Sequence, residues 1–190
     1  MGRWEPNARG RLEQAALELY GEYGFDATTA KQIAERAGLT ERTFFRHFAD
    51  KREVLFPHGN PLLERVVGAL ADVPPDTAPI DAVSAALQAA SELFRERRDL
   101  ARRRQAVIAA HAELRERELV KLAALAATLA GALRERGVPE PAARLAAEVG
   151  MAAFGVAFDR WITDPEGLDP ARLVRDAFTE LKAVASGGGL

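Results

Sequence analysis

The fold is decided by the run Thr28-Thr-Ala-Lys-Gln-Ile-Ala-Glu-Arg-Ala-Gly-Leu-Thr40 and, one residue further on, by Arg42-Thr-Phe-Phe-Arg-His-Phe-Ala-Asp-Lys51. Thr28 or Thr29 can cap a short helix that ends near residue 37, because a threonine hydroxyl accepts hydrogen bonds from the unpaired amides of a first helical turn. Gly38 permits a sharp turn, after which Thr40 can cap a second short helix. Two short helices joined by such a turn are the pattern of a helix-turn-helix motif, whose second helix enters the DNA major groove.

The apolar residues of this stretch have the spacing that packs two short helices at a steep angle. They are Ile33, Ala34, Ala37, Leu39, Phe44 and Phe48. A second helix packed in this way shows its polar side chains to solvent. By spacing alone, the stretch is equally well explained as a helical hairpin whose phenylalanines build a core and whose arginines are solvated.

If the motif reads DNA, its polar side chains have two roles. Arg42 can make two hydrogen bonds to a guanine edge, and Thr43 can touch a thymine methyl or a phosphate. Side chains at helix ends can hold phosphates and so fix the register of the protein on the duplex. These phosphate candidates are Thr28, Thr29, His47 and Lys51. The side chains that the second helix is expected to show to solvent are Thr40, Glu41, Arg42, Thr43, Arg46 and His47. Residues 38–52 carry four basic and two acidic side chains, a local excess of two positive charges.

The whole chain gives no such electrostatic signal, because 26 Lys and Arg are set against 28 Asp and Glu, for a net charge of −2. With 190 residues, of which 48% are hydrophobic, the chain can bury a substantial core and lies outside the composition of disordered proteins. It contains no cysteine. That excludes disulfides, thiolate metal sites and a cysteine nucleophile, and it fits a reducing cytosol.

The two runs closely resemble the DNA-binding domain of TetR-family transcriptional regulators, over about residues 8–56. A helix, a capped helix-turn-helix, an aromatic-Arg-His-Phe run and a following lysine occur together and in that order. The resemblance implies an all-helical homodimer. It also implies an N-terminal DNA-binding domain and a C-terminal domain that holds a small-molecule effector and the dimer interface.

This chain departs from the family pattern in two places. Phe45 stands where the family usually has a tyrosine whose hydroxyl reaches a phosphate, so the ring is left with packing or with a contact to a base methyl. The segment 57–61, Pro-His-Gly-Asn-Pro, interrupts the helix that in the family connects the two domains and tilts them on ligand binding. We expect a break there because proline removes a backbone hydrogen bond, with Asn60 capping a new helix that begins at Pro61.

The rest of the chain also reads as helix, because alanine and leucine dominate and glycine or proline interrupts the pattern at intervals. A first helix is expected to end at Gly24, and Asp50 is predicted to cap a helix that begins at Lys51. Further helices are predicted over 61–70, 80–98, 100–110, 112–136, 140–163 and 170–185. The sequence therefore predicts an all-α fold of about nine helices. We expect a three-helix helix-turn-helix domain over 1–56, a helical effector-binding and dimerisation domain over 57–185 and a disordered tail over 186–190.

The helix predicted over 140–163 is apolar nearly all round, so more than one of its faces must be buried. The resemblance implies a two-fold bundle made with the last helix, and an intramolecular core explains the same pattern. Glu148 is a candidate pocket residue, because burying a lone carboxylate is costly, although solvent or an arginine explains it as well. The candidate ligand-binding residues are Arg104, His111, Glu148, Met151, Phe154 and Phe158. A mostly apolar cavity favours a lipophilic effector.

Two basic segments each have two interpretations. Three arginines near the start of the chain, Arg3, Arg9 and Arg11, form either an arm that enters a minor groove or a solvated chain end. The densest basic cluster, residues 95–104, is either a phosphate or ligand site or a solvated helix corner, where arginine is favoured by the helix dipole.

The sequence offers nothing for catalysis. Its three histidines lie far apart without metal-ligand spacing, and it has no nucleophile elbow, phosphate-binding glycine loop or dinucleotide fingerprint. We expect no enzyme activity, no cofactor and no metal. We also expect no membrane segment, because Glu148, Asp159 and Arg160 interrupt the longest apolar stretch. The N-terminus lacks the apolar core of a signal peptide, so a cytoplasmic location is expected.

The sequence thus predicts a homodimeric transcriptional regulator that binds double-stranded DNA. By the resemblance, it is a repressor that a small-molecule effector releases from a palindromic operator. The competing interpretations are a helical enzyme or small-molecule carrier that retains the DNA-binding domain, and an activator or a regulator without a ligand.

Overall fold

The structure is a computed structural model that describes residues 7–56, 61–164 and 166–187. Within these residues it contains nine α-helices, one 3-10 turn (Glu92–Phe94) and no strand. The helices are α1 (Ala8–Tyr23), α2 (Ala30–Arg36), α3 (Glu41–His47), α4 (Pro61–Ala71), α5 (Pro79–Ser91), α6 (Arg98–Ala110), α7 (Ala112–Glu135), α8 (Glu140–Thr163) and α9 (Pro170–Ala185). The predicted all-α fold, with an N-terminal helix-turn-helix and a C-terminal helical domain, is confirmed.

The first of two compact units comprises residues 1–59 and 99–118, so it joins α1, α2 and α3 to most of α6 and the start of α7. It differs from the predicted domain over 1–56 by including 99–118. The reason is that Val107, Ile108 and Leu114 are buried in the same apolar core as Leu12 and Phe44. The periodicity of a helix shows which face is apolar but not which distant helix covers it.

The second compact unit comprises residues 60–98 and 119–190. In it, α5 packs against α4, α8 and α9, and α8 packs against α9. The helices α5 and α8 approach so closely at Gly150 that a Cβ there would collide with Val83. Leu129 and Leu133 of α7 are also fully buried.

The helix predicted from Lys51 is wrong, because residues 51–56 form turns. Asp50 does accept hydrogen bonds from the amides of Arg52 (2.7 Å) and Glu53 (3.0 Å), as a cap would. The carbonyl of Lys51, however, accepts a 2.6 Å hydrogen bond from the Tyr20 hydroxyl, which takes the place of a bond within a helix. Burial, and after it the charge of Asp50, raises the pKa of that hydroxyl well above its usual value, so it stays a donor.

The other predicted helices match the structure within a few residues, except that the one over 80–98 ends at Ser91 and continues as the 3-10 turn. The helix α4 begins at Pro61, as expected. The predicted cap Asn60 and the rest of the break over 57–60 lie outside the described residues. So do Arg3 and residues 188–190 of the predicted tail, and residues 186 and 187 form a turn.

One helix in the described part of the chain, α8, is long and apolar enough to cross a membrane by length and composition. A core helix of a helical domain meets the same criterion. The buried residues of α8 include Ala143, Ala147, Gly150, Ala157 and Trp161. These lie at three-, four- and seven-residue steps, so α8 presents a continuous face to the core of its unit, as a core helix does.

Candidate nucleic-acid interface and effector cavity

Threonine caps define the two short helices of the helix-turn-helix. The Thr29 hydroxyl accepts a hydrogen bond from the Gln32 amide (3.2 Å), and the Gln32 side-chain oxygen accepts one from the Thr29 amide (2.8 Å). This reciprocal pair is a capping box. Thr40 caps α3 by accepting a hydrogen bond from the Thr43 amide at 3.2 Å. Between the helices, Gly38 has a φ of 67°, a left-handed conformation that glycine adopts without strain. The predicted caps at Thr29 and Thr40 are confirmed.

Fully buried aromatic side chains fix α3 in place. Phe44 is 0% exposed and Phe48 is 1% exposed, and both belong to the same core as Ile33 of α2. The guanidinium of Arg11, on α1, donates a hydrogen bond to the carbonyl of Ala37, just after α2. The helix α3 is therefore held by its buried face, and its opposite face is exposed. Arg11 makes its contact within the domain rather than as part of an extended arm.

Five of the predicted DNA-contacting residues lie together on one side of α3. They line a single open surface groove: Thr40, Arg42, Thr43, Phe45 and Arg46. Both charged residues of this groove are arginines, and both are exposed. The Phe45 ring, 53% exposed, lies between them in sequence. A groove with this lining can offer hydrogen-bond donors and an apolar ring to one ligand.

Two of the predicted phosphate ligands, Thr28 and Lys51, have hydrogen-bond partners within the protein. Thr28 is buried, and its hydroxyl donates towards the carbonyls of Gly24 (2.8 Å) and Leu19 (3.3 Å). The ammonium of Lys51 donates to the carbonyls of residues 25, 26 and 28 at 2.8, 3.1 and 3.0 Å. It also lies 4.5 Å from the centroid of the Phe25 ring. These contacts tie the turn after α1 to the segment that follows α3.

His47, at the end of α3, is only partly exposed. Its Nε2 atom is shielded from solvent and has no hydrogen-bond partner among the described residues. Desolvation, followed by the charges of Arg46 and Arg9, holds the pKa of His47 below its usual value. The free protein therefore carries a neutral imidazole here at pH 7. The guanidinium carbon of Arg9 lies 5.1 Å from the centroid of the Phe48 ring, and its Nε atom lies 3.2 Å from a carboxylate oxygen of Glu13.

A second candidate site is an apolar cavity in the other unit. Four aromatic rings surround it, with centroid separations of 5.7 to 6.3 Å between neighbours: Phe94, Phe154, Phe158 and Trp161. Ser91, Ala157, Pro170 and Val174 complete its lining, which contains no charged residue. The space between these side chains is about 10 Å³, no more than one water molecule needs. The rings thus pack almost directly against one another.

The six predicted ligand-binding residues are divided between the two units, with four of them on α8 in the second unit. Phe154 and Phe158 line the cavity, Met151 is half-buried on the same helix, and Glu148 is exposed. Sequence reasoning missed Trp161, although it lies one and two turns after those phenylalanines on the same helical face. It also missed Phe94, which comes from the 3-10 turn and carries no local signal.

The two remaining candidates, Arg104 and His111, belong to the first unit. The Arg104 guanidinium forms a two-pronged ion pair with Glu118 (3.0 and 2.7 Å) and donates to the carbonyl of Leu55 at 2.9 Å. The His111 ring lies edge-on to Phe25 with centroids 5.7 Å apart, and its Nδ1 is 2.9 Å from the Val107 carbonyl. Both side chains therefore have partners that hold the first unit together.

The basic cluster over 95–104 is largely matched by acceptors within the chain. Arg95 pairs with Asp169 at 3.1 Å, and Arg102 lies 3.4 Å from Asp99. Arg98 donates to the carbonyl of Trp161 at 2.9 Å, near the end of α8. These contacts favour the interpretation as a helix corner over that of a phosphate site. Among the described residues, no group of three or more metal-ligating side chains comes together.

Family models match most of the chain. Residues 13–56 match the model of bacterial regulatory proteins of the tetR family, and residues 77–186 match the MftR C-terminal domain. The regulator TcmR of Streptomyces glaucescens is 41% identical over 81 residues, which is 43% of this chain but only 36% of that protein. The putative mycofactocin biosynthesis transcriptional regulator MftR of Mycobacterium tuberculosis is 25% identical over 167 residues, 86% of this chain and 84% of the relative.

Solved structures show the same fold. The SmeT–triclosan complex superposes with a TM-score of 0.65 at 21% identity, covering 94% of this chain and 90% of that one. FadR of Thermus thermophilus, a TetR-family transcriptional repressor in complex with lauroyl-CoA, has a TM-score of 0.55 at 25% identity, covering 96% and 95%. The relatives are transcriptional regulators, a class that is not enzymatic. With its helix-turn-helix and its helical C-terminal domain both matched, this chain belongs to the TetR family of bacterial transcriptional regulators.

Proposed function

We propose that this regulator is a homodimeric repressor that binds a palindromic operator in the cytoplasm and is released from it by a small apolar effector. The observation that carries the proposal is the groove on α3, which Arg42, Thr43 and Arg46 line together with the exposed ring of Phe45. Buried Phe44 and the two capped helix starts hold this face rigid. A helix preorganised in this way loses little entropy on entering a major groove.

In the proposed complex, the exposed side chains of α3 divide between base and phosphate contacts. Arg42 reads a guanine, because its planar guanidinium matches the two acceptors on the major-groove edge of that base. Thr43, Arg46 and the exposed cap Thr29 contact the backbone and fix the register. Thr40 positions the start of α3, since its hydroxyl accepts from the Thr43 amide and lies 3.0 Å from the Thr43 hydroxyl.

The homodimer would form through the outer faces of α8 and α9. Large apolar side chains are exposed there, namely Leu145, Val156 and Val184, at 65%, 48% and 62%. Ala152 and Gly155, also exposed on α8, let a second helix approach closely because they are small. A two-fold interface places the two copies of α3 on two half-sites, so the operator should be palindromic.

The effector would bind among Phe94, Phe154, Phe158 and Trp161. An uncharged, aromatic lining favours an apolar ligand. The complex of FadR with lauroyl-CoA supports a ligand with a long hydrocarbon part. Because the rings leave almost no space between them, a ligand must push them apart. The bound and free states then differ in structure, which is the condition for a ligand to shift an equilibrium between them.

Arg98 connects this cavity to the chain that enters the first unit. Its guanidinium donates to the carbonyl of Trp161, whose ring lines the cavity. Arg98 is also the first residue of α6, and the next residue, Asp99, already belongs to the first unit. A ligand that displaces Trp161 therefore acts on the residue at which the chain passes from one unit to the other. We infer that this is how the effector changes the affinity for DNA.

The test of the function is selection of bound duplexes from a random pool at physiological salt, followed by titration of the enriched sequence. We expect an inverted repeat, bound by one dimer. Weak binding to all sequences that disappears with added salt would contradict specific regulation, since that is the behaviour of nonspecific contacts to phosphates. Ligand binding in the aromatic cavity of the second unit would then be the better candidate for the protein's primary function.

A further inference from the structure

Phe45 is a large apolar side chain presented where the proposed interface should be most polar. Its ring is 53% exposed in the groove on α3. It packs edge-on against Phe44, with centroids 5.4 Å apart and planes at 88°. Because Phe44 is completely buried, the base of the Phe45 ring rests on a fixed support. The ring is therefore both exposed and positioned.

We propose that Phe45 is a specificity residue that reads thymine through its C5-methyl group. The proposal rests on the DNA-binding function proposed above and names a base that it recognises. Arg42 and Arg46 line the same groove as the ring, and their positive charges attract a polyanion to this face. The thymine methyl is the apolar group that an unmodified base pair presents on the major-groove floor, and a phenyl ring can cover it.

A backbone role fits this side chain poorly. Phosphate oxygens take hydrogen bonds from hydroxyl, amide and charged nitrogen groups, and a phenyl ring has none of these donors. Placing the ring against a phosphate would cover an anion with apolar surface. Covering a methyl group instead removes apolar surface of both partners from water, which is favourable.

The position of Phe45 relative to Arg42 predicts where the thymine lies. The two residues are one helical turn apart, a rise of about 4.5 Å along the helix axis. Successive base pairs are about 3.4 Å apart. The thymine is therefore expected next to the base that Arg42 reads, or one base pair further, and once in each half-site.

The decisive experiment changes the DNA rather than the protein. Each thymine of the selected operator is replaced in turn by uracil, which lacks only the methyl group, and affinity is measured by titration. We expect a loss of about three- to fivefold at one thymine per half-site, the contribution of one buried methyl group. The other thymines serve as matched controls and should change affinity less than twofold. Replacing the sensitive thymine–adenine pair by cytosine–guanine should lower the affinity. Replacing that cytosine by 5-methylcytosine, which carries a methyl group at the same position, should partly restore it.

Variants of Phe45 assign the effect to this ring. The Phe45→Ala variant should bind operators with thymine or uracil at the sensitive position with equal affinity. The Phe45→Tyr variant keeps the ring, so it should still bind the thymine operator more tightly than the uracil operator. A melting curve checks that Phe45→Ala folds, as expected for an exposed side chain. If wild-type protein binds an enriched operator but no thymine-to-uracil change matters, this proposal is overturned and the repressor function stands. If no sequence is enriched at all, the DNA-binding function itself fails.

Discussion

The ammonium nitrogen of Lys51 lies 2.8 Å from the carbonyl oxygen of Phe25 and donates a hydrogen bond to it. The carbonyls of Asp26 and Thr28 accept from the same ammonium at 3.1 and 3.0 Å. Since an ammonium group has three donors, these carbonyls account for all of them. Lys51 therefore joins the turn after α1 to the segment after α3.

Lys51→Met should lower the free energy of unfolding by about 1–2 kcal/mol, because three carbonyls lose a charged donor at a partly buried position. The dependence of DNA affinity on salt should keep its slope. Arg46→Gln is the matched control: stability should change by less than about 0.5 kcal/mol, while the slope falls by about one for each half-site. Chemical denaturation and titrations at several salt concentrations measure both quantities. A stable Lys51→Met protein with a reduced slope would instead make Lys51 a phosphate ligand.

Arg42→Ala should reduce the preference for one base pair in each half-site by about 1–3 kcal/mol, the value of one bidentate contact to guanine. Arg42→Lys keeps the charge but loses the planar fork, so it should keep nonspecific affinity and lose most of the preference. Competition titrations with every base at that position measure the effect. An equal loss of affinity on all sequences would reassign Arg42 to the phosphates.

The local structure of the DNA-binding motif was predictable because its signals are local. Thr29 and Thr40 precede short apolar patterns, and Gly38 stands at the turn. The partners of Lys51 were not predictable, since they lie more than twenty residues earlier in the chain. Phe94 shows the same limit, because its role depends on the helix α8, which lies far along the chain. Periodicity describes one element at a time, whereas these roles arise where distant elements meet.

His47 predicts two opposite responses to acid. Its lowered pKa means that the unfolded chain takes up a proton before the folded protein does, so its contribution to stability is present above about pH 6.5 and is lost as the pH falls below that value. Bound DNA should raise the pKa of the same imidazole if a phosphate lies beside it. The affinity for the operator should then rise as the pH is lowered from 7.5 to about 6.

The variant His47→Gln is the control for the acid dependence of both stability and operator affinity, because glutamine does not titrate between pH 6 and pH 7.5. We expect its operator affinity to change less with pH than that of wild type. Nuclear magnetic resonance of the imidazole protons gives the pKa with and without DNA. Equal pKa values in the two states would remove His47 from the interface.

Val156→Glu should convert the dimer to a monomer, because it places a charge on the apolar outer face of α8 proposed as the interface. Leu119→Glu is a matched control: Leu119 is 67% exposed on α7, compared with 48% for Val156. Both variants should fold normally, since neither side chain is buried. Sedimentation equilibrium should show monomers for Val156→Glu only, together with weaker operator binding. A dimer that survives this change would place the interface elsewhere.

Arg98→Gln should separate effector binding from release of DNA. The cavity lining is unchanged, so an apolar ligand should still bind and alter the fluorescence of Trp161, measured in a Trp4→Phe background. The link between the Trp161 carbonyl and the start of α6 is weakened, however, so the ligand should lower operator affinity much less than in wild type. Coupling free energies of about 1–3 kcal/mol are usual for such effects. Arg95→Gln, in the same basic cluster but paired with Glu92 and Asp169, should leave the response intact. If both variants respond like wild type, the signal leaves the cavity by another route.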